Sequence, residues 1–509
     1  MSSENSKRIA KNTFVLYVQM VVAMLIGLYT SRVVLNVLGV EDFGIYSAIG
    51  GVVAMFGILN SAMSSSTSRF ITFELGYGKF ERLKAVFSTS LLIHIGLALL
   101  VCLITLPIGL WFLKTYMVIP SLRMNAAVWV LYSVVIATFF GILSVPYNAS
   151  IVAHEKMSIF AYFSVIDLTL KLAIVLILPV LPYDKLKAYA VLLVVVQVIM
   201  QFIYWLYCYR NFKEVRVGLK WEKGLFKEMT SFAGWSLFGD SAYLMYTQGL
   251  NVLLNVFFGA PVNAARGIAV QVQGVLMRFT SGFQTALNPQ ITKSYAGGDL
   301  KYMHRLIFSS SKFSFFLVLM LSIPVFLEAE QLLLWWLKVV PDHTVNFVRI
   351  LLLISLIDCL ANPLIFAAKA TGRIKKYQAI LGTLLLMVVP VSYLFLKMGY
   401  QPESVFIVHL VISILGQAVR VWLISPMINL SLREYFFKIA LRCFFVVVVA
   451  SLAPLILHMI ISDSNVSRLL LVSVASLVSV SALTYYMALD KQEKTFFNQM
   501  VLSRFKSST

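Results

Sequence analysis

The sequence predicts an all-α, polytopic membrane protein with about fourteen transmembrane helices. Hydrophobic residues make up 60% of the 509 residues and charged residues only 13%, whereas soluble proteins carry about 25% charged residues. Many apolar runs exceed the ~18–20 residues that cross ~30 Å of hydrocarbon. These runs are continuous, and the strands of membrane β-barrels alternate apolar and polar residues instead. The three observations together favour a helical bundle in a bilayer.

Fourteen apolar segments are separated by mostly short polar connections. The predicted spans cover residues 12–34, 43–65, 86–113, 123–147, 158–180, 187–209, 230–258, 262–288, 308–337, 345–368, 377–398, 404–428, 436–461 and 466–488. The longest polar stretch, Arg210 to Glu228, follows the sixth span.

Lysine and arginine are distributed unevenly between the two sides of this topology. With a cytoplasmic N-terminus, the inner segments hold 27 basic residues and the outer loops hold 8. Since cytoplasmic loops carry an excess of Lys and Arg, both termini are predicted to be cytoplasmic. The net charge of +20 then follows mostly from topology, and no nucleic-acid partner is expected.

An internal duplication relates the first six spans to the next six. Pro146 aligns with Pro363 and Gln201 with Gln417, and further matches keep a nearly constant offset. Because six is even, the two halves have the same orientation, which makes a parallel repeat. The predicted organisation is a six-helix lobe over 1–209, a cytoplasmic linker over 210–229, a second six-helix lobe over 230–428, and two extra helices with a cytoplasmic tail over 429–509. Two such lobes around a central cavity suit alternating access.

The sequence contains no catalytic or cofactor-binding pattern. There is no Walker A sequence, no H-E-x-x-H and no C-x-x-C, and the six histidines are scattered without ligand spacing. Neither an enzyme nor a bound metal or cofactor is expected. A membrane glycan polymerase or ligase is a remote alternative, which the short outer loops disfavour.

The segment from Leu38 to Tyr46, LGVEDFGIY, resembles the first outer loop of bacterial polysaccharide transporters, which include Wzx-type flippases of O-antigen or capsule repeat units. The loop with Ser68-Arg69, Glu74, Gly76 and Gly78 is similar to the family's small-polar-then-basic cytoplasmic loop. Multidrug and lipid II exporters share this superfamily fold, so the fold alone does not fix the substrate.

The resemblance implies a carrier of undecaprenyl-pyrophosphate-linked oligosaccharide across the bacterial inner membrane. Such a protein has the lipid-linked substrate and the bilayer as partners, with a polysaccharide polymerase and glycosyltransferases as further candidates, and it is expected to be a monomer. Coupling to H⁺ or Na⁺ stays open. The main alternative is a drug or cation antiporter of the same superfamily.

Ionisable residues inside spans are costly and therefore mark functional candidates. The eighth predicted span carries the polar residues Arg266, Gln271, Gln273 and Arg278. Guanidinium groups bind phosphate through paired hydrogen bonds, so Arg278 and Arg266 are substrate-binding candidates, with Gln271 and Gln273 beside them. Lys171 in the fifth span is a third basic candidate.

Three aspartates lie deep in predicted spans and are candidates for ion coupling. Asp240 lies near the middle of the seventh span, where it also suits neutralising an arginine of the eighth, and Asp358 lies in the tenth. Asp167 is four residues before Lys171, an order that favours an ion pair. Lys312 and Arg442 lie near span ends, where anchoring at the interface is the simpler expectation.

Overall fold

The computed structural model describes residues 3–54, 57–115, 117, 119–216, 220–461, 465–490 and 493–494. Within these residues the secondary structure is helical, without a strand. The helices are α1 Ser3–Ala54, α2 Gly57–Tyr77, α3 Phe80–Thr115, α4 Met124–Ala153, α5 Met157–Ile177, α6 Lys185–Asn211, α7 Lys223–Phe258, α8 Ala260–Ala296, α9 Leu300–Leu327, α10 Ala329–Leu337, α11 Thr344–Thr371, α12 Lys375–Leu386, α13 Val388–Lys397, α14 Glu403–Ile424, α15 Leu432–Tyr435, α16 Leu441–Ile460 and α17 Val466–Leu483.

Eleven of the described helical segments are long and apolar enough to cross a membrane. The seventh and eighth predicted spans correspond to α7 and α8, which have 36 and 37 residues. At ~1.5 Å per residue they are long enough to cross, but their sequences are more polar. Large apolar side chains such as Leu103 and Phe444 are exposed at 74% and 63%, as expected for lipid-facing positions. The all-α, polytopic fold class is confirmed, and the count of fourteen spans stays a prediction.

Two compact units divide the described chain. The N-terminal unit covers Ala10–Asp240, and the C-terminal unit runs from Ser241 onwards with the N-terminal residues up to Ile9. The predicted linker over 210–229 contains Lys213–Arg216 as a short 3₁₀ turn, and residues 217–219 lie outside the described chain. The predicted tail beyond residue 494 also lies outside it.

The core of the N-terminal unit forms where α1, α3, α4 and α6 meet. Ile49, Val130 and Leu186 are at most 2% exposed there. In the C-terminal unit, α9 packs against α8, α11, α16 and α17, so it is the most enclosed of the described spans of that unit. Because α16 and α17 pack against α9, these two final helices belong to the C-terminal unit.

Glycines mark the same backbone bend in both units. Gly39 has φ 80° and ψ 169°, and Gly259 has φ 79° and ψ −171°. This combination of angles is essentially restricted to glycine. Gly78 and Gly298 likewise have φ 80° and 75°. The same offset separates both pairs in the sequence, and it agrees with the offset of the predicted duplication.

We expect Gly39→Ala to lower the free energy of unfolding by about 1–3 kcal/mol, because an L-residue is strained at these angles. A Cβ at Gly39 would have no other atom within 4 Å, so crowding contributes nothing to the loss. Gly44→Ala is the matched control, since Gly44 is helical and equally uncrowded. Denaturant titration of the purified protein measures both variants, and equal stability of the two would contradict the strain argument.

Candidate functional site

The motif that carries the family resemblance fastens one end of the N-terminal unit. Asp42 is 5% exposed and accepts a hydrogen bond of 2.8 Å from Nε of Arg123 at the start of α4. Arg123 also donates from Nη1 to Oδ2 of Asp184, at 2.5 Å. Asp184 caps α6 by accepting a bond from the Lys187 amide at 3.0 Å. The motif therefore holds the α1 bend to α4 and α6, which gives Asp42 an architectural role.

The charge of Asp184 is maintained by this arrangement. Burial acts to raise the pKa of the Asp184 carboxyl, but the Lys187 amide and the Arg123 guanidinium outweigh burial and lower it. Asp184 is therefore ionised at neutral pH and keeps its ion pair with Arg123.

A related pair occurs in the C-terminal unit at the corresponding sequence positions. His343 Nδ1 lies 2.7 Å from Oε1 of Glu403, and Asn346 donates to the same oxygen at 3.0 Å. His343 and Glu403 follow Arg123 and Asp184 by nearly the same offset that relates the other matches of the duplication. The same position of the duplication is thus an arginine in the N-terminal unit and a histidine in the C-terminal unit.

A cavity of about 420 Å³ lies within the N-terminal unit. Helices α1, α2, α4, α5 and α6 each contribute to its wall, through Tyr46, Gly50, Val53, Gly57, Asn60, Ser133, Val134, Ala137, Thr138, Gly141, Ile142, Lys171, Ala190, Leu193 and Gln197. The volume lies in the range of about 300–1,000 Å³ that is typical of small-molecule sites. Lys171 is the predicted site residue that the structure places in this wall.

Lys171 is neutralised by Asp167. The Lys171 ammonium donates to Oδ2 of Asp167 at 2.7 Å, and the two side chains are 31% and 25% exposed. Their spacing of four residues places both on one face of α5. Asp167 is thereby occupied by an internal cation, which weakens its case as an ion-coupling site.

Arg266 lies on α8 in the C-terminal unit and is only 8% exposed. Its Nη1 donates to Oδ1 of Asn251 and its Nη2 to the Thr247 carbonyl at 2.9 Å, both on α7. Among the described residues no carboxylate lies within ion-pairing distance of Arg266. Its Nε is buried without a hydrogen-bond partner in the same part of the chain. The guanidinium is thus a buried cation held by neutral groups.

Two tyrosines and a histidine surround the same region. The rings of Tyr243 and Tyr246 are 5.3 Å apart and edge-on, and Tyr246 lies 5.1 Å from the His409 ring on α14. His409 is 7% exposed. Arg266 and Asp358 both lie within electrostatic range of the two tyrosines. Arg266 and Asp358 therefore both lie near this tyrosine pair inside the C-terminal unit, and Asp358 also interacts electrostatically with Arg420.

The remaining predicted site residues of the C-terminal helices lie on α7 and α8. Arg278 and Gln271 are exposed on α8 and Gln273 is half-buried. The Arg278 guanidinium has no hydrogen-bond or ion-pair partner among the described residues. Asp240 is half-buried on α7. Arg266 is held by Asn251 and Thr247, and the neutralisation of an α8 arginine by Asp240 stays a prediction.

The expectation that Lys312 anchors at the interface is wrong. Lys312 on α9 is 1% exposed and lies 2.6 Å from Glu493 and 3.5 Å from Asp490. Arg442 on α16 also pairs with Asp490, at 2.8 Å. These acids follow the last predicted span, far from Lys312 in the sequence, so no local pattern indicated the pairing.

A second buried charge cluster was not predicted from the sequence. Glu328, between α9 and α10, accepts from Arg468 on α17 at 2.7 Å. It also lies 2.8 Å from Nδ1 of His458 on α16. Glu328 and Arg468 have side-chain exposures of 2% and 11%. With the Lys312 cluster, this pairing fastens α16 and α17 to α9.

Solved structures with a similar fold include MATE transporters and another transporter of the MOP superfamily. The crystal structure of MATE in the straight conformation matches with a TM-score of 0.70 and 17% identity, over 83% of this chain and 97% of that chain. An outward-facing multidrug resistance MATE transporter of the MOP superfamily matches with a TM-score of 0.70 and 15% identity, over 84% and 97%. A MOP superfamily transporter from Pyrococcus furiosus, whose binding pocket is described as reversed in polarity, has a TM-score of 0.68 and 15% identity, over 84% and 96%.

Fold and span content thus define a multi-pass membrane protein of the MATE fold. The family model for polysaccharide biosynthesis proteins matches residues 9–295. The chain belongs to this polysaccharide biosynthesis family, which confirms the resemblance of the Leu38–Tyr46 segment. No curated protein sequence matches this chain significantly. Family and fold together support a membrane transporter.

Proposed function

We propose that the protein flips undecaprenyl-pyrophosphate-linked oligosaccharide units across the bacterial inner membrane, by alternating access, for surface polysaccharide or O-antigen synthesis. The observation that carries the proposal is the charge of α8. Two guanidinium groups, Arg266 and Arg278, lie on this helix without a carboxylate partner among the described residues. Uncompensated cations within a membrane helix favour an anionic ligand, and guanidinium fits phosphate geometry.

In this proposal Arg278 is the first contact for the pyrophosphate, because Arg278 is exposed and its guanidinium has no partner in the described part of the chain. Arg266, with Gln271 and Gln273 on the same helix, adds positive potential and hydrogen-bonding capacity. The protein works as a carrier without catalysis, and its partners are the substrate, the bilayer and the enzymes that build and polymerise the glycan. Both termini face the cytoplasm, as the distribution of basic residues predicts, and a monomer suffices.

Asp358 and Asp240 are the proposed ion-coupling residues. Asp358 is half-buried near Tyr243 and Tyr246, where proton or sodium binding would change the charge beside these two tyrosines. Asp167 is the weaker candidate because Lys171 already neutralises it at 2.7 Å.

Deleting the gene tests the proposal in cells. We expect loss of surface polysaccharide and accumulation of lipid-linked units on the cytoplasmic face. Complementation with Arg278→Ala should restore at most a small fraction of export at normal protein level, whereas Arg278→Lys should restore part of it because one positive charge remains. Lys338→Ala, an exposed basic position outside α8, is the control and should complement fully.

Three results would overturn parts of this function. Surface glycan that is unchanged in the deletion strain contradicts it. If the same strain instead becomes sensitive to cationic drugs, the antiporter alternative replaces it; the MATE fold match includes multidrug transporters. Full export by Arg278→Ala removes that residue from the mechanism.

A further inference from the structure

The cavity of the N-terminal unit differs in chemistry from the α8 cations. Among the described residues that line it, Lys171 alone is ionised, and its charge is compensated by Asp167 at 2.7 Å. A phosphate entering here would have to displace a carboxylate that belongs to the same helix. The cavity therefore has little net attraction for an anion.

Neutral hydrogen-bonding groups dominate the polar part of the wall. Amides and hydroxyls enter it from four helices, through Tyr46, Asn60, Ser133, Thr138 and Gln197. Each amide both donates and accepts, and each hydroxyl does the same. Ligands rich in hydroxyl groups present that mixture of donors and acceptors, whereas phosphate presents acceptors almost exclusively.

One of these groups lacks a partner within the described part of the protein. Oδ1 of Asn60 is buried and accepts no hydrogen bond there. Leaving a buried acceptor unsatisfied costs about 1–3 kcal/mol, which a ligand hydroxyl donating to it would recover. Val53, Ile142 and Leu193 supply apolar wall between the polar groups, as in small-molecule sites generally.

The internal duplication does not repeat Lys171 in the C-terminal unit. The offset that relates Pro146 to Pro363 also relates Lys171 to Val388. Val388 is fully buried in an apolar cluster with Leu351 and Phe406. The lysine of this wall therefore has an apolar residue as its counterpart in the C-terminal unit.

We propose that this cavity is a subsite for the neutral, hydroxyl-rich sugar portion of the cargo. The inference rests on the proposed function. Lys171, held by Asp167, acts there as a hydrogen-bond donor to sugar oxygens.

Protection of an introduced cysteine tests the subsite on the purified full-length protein. Ala137→Cys places a thiol in the cavity wall, and Ile136→Cys is the matched control on the adjacent, 46% exposed position of α4 that does not line the cavity. Cys102, which is half-buried, is replaced by Ser in both, while the other three cysteines are buried. The probes are methyl glycosides of glucose, galactose, mannose and N-acetylglucosamine at high millimolar concentration, inorganic pyrophosphate, and tetraphenylphosphonium.

We expect at least one methyl glycoside to slow maleimide labelling of the Ala137→Cys variant several-fold and saturably. The Ile136→Cys variant should label at an unchanged rate, and pyrophosphate should protect neither. Adding Asn60→Ala and Gln197→Ala should remove the protection while the protein stays monodisperse. Protection by none of the glycosides, or by pyrophosphate alone, overturns the sugar subsite.

Failure of the subsite is distinguishable from failure of the proposed function. If the deletion strain loses surface glycan but no glycoside protects the thiol in the cavity wall, only the subsite is wrong. Protection by tetraphenylphosphonium alone, with normal surface glycan in the deletion strain, overturns both and favours a cation carrier.

Discussion

Glu328→Gln should lower the free energy of unfolding by about 3–5 kcal/mol, the usual cost of leaving one partner of a buried ion pair uncompensated. Glutamine keeps the shape and the hydrogen-bonding oxygen of Glu328 but not its charge. Arg468, with a side-chain exposure of 11%, would remain charged because guanidinium is not deprotonated in proteins. Its remaining contact, from Nη1 to the Ile461 carbonyl at 3.3 Å, does not replace the carboxylate. Denaturant titration followed by the fluorescence of the eight tryptophans measures the loss.

Glu330→Gln is the matched control for this change. Glu330 lies two residues away and is exposed, so its neutralisation should change stability by less than about 0.5 kcal/mol. In the Glu328→Gln background, Arg468→Met should recover part of the lost stability because it removes the uncompensated charge. Equal stability of Glu328→Gln and Glu330→Gln would show that this pair does not hold α16 and α17 to α9.

Sequence reasoning predicted the fold class because the bilayer imposes simple length and hydropathy requirements on each span. It was less accurate where one residue determines the local geometry. The segment around Gly39 was expected to be an outer loop, yet the helix continues on both sides of a bend at that single glycine. Residues 230–258 and 262–288 were predicted as apolar spans, yet α7 and α8 are too polar to be among the described helices that hydropathy marks as spans.

Site contacts between residues close in sequence were predicted, whereas contacts between residues far apart in sequence were not. Lys171 and Asp167 are four residues apart, so their pairing was visible as a helical pattern. Asn60 and Gln197 come to the same cavity from α2 and α6, and nothing in the local sequence relates them. The contact of Arg266 with Asn251 joins adjacent helices, but only the structure shows that no described carboxylate is its partner.

Neutralising both acids beside Lys312 is expected to destabilise the protein by several kcal/mol. In the double variant Asp490→Asn, Glu493→Gln, the Lys312 ammonium at 1% exposure would lose both carboxylates at 2.6 and 3.5 Å. The Ala488 carbonyl at 3.2 Å would be its principal remaining acceptor. An ammonium that is desolvated without a counterion either destabilises the fold or gives up its proton. Unfolding midpoints at neutral pH measure the cost.

The ion pairs of Lys312 and Arg442 with Asp490 should also make the stability of the protein depend on pH. Burial acts to raise the pKa of Asp490, but the Arg442 hydrogen bond and the Lys312 charge outweigh burial and lower it. A lowered carboxyl pKa contributes stability above the unfolded value of about 3.9 and loses it as the pH falls through the folded value. The wild type should therefore lose more stability than the double variant below about pH 4.

Replacing Lys312 by methionine tests whether its buried charge causes the loss of stability in the double variant. Lys312→Met alone leaves acids that are 44% and 13% exposed, so it should cost less than the double acid variant. Adding Lys312→Met to that variant should restore stability, because an apolar side chain of similar length needs no counterion. Glu434→Gln is the control, since it breaks the ion pair of Glu434 with Lys438, whose side chains are 42% and 39% exposed, and should cost at most about 1 kcal/mol. If the triple variant is no more stable than the double variant, the tail residues act through packing and the charge of Lys312 does not cause the loss.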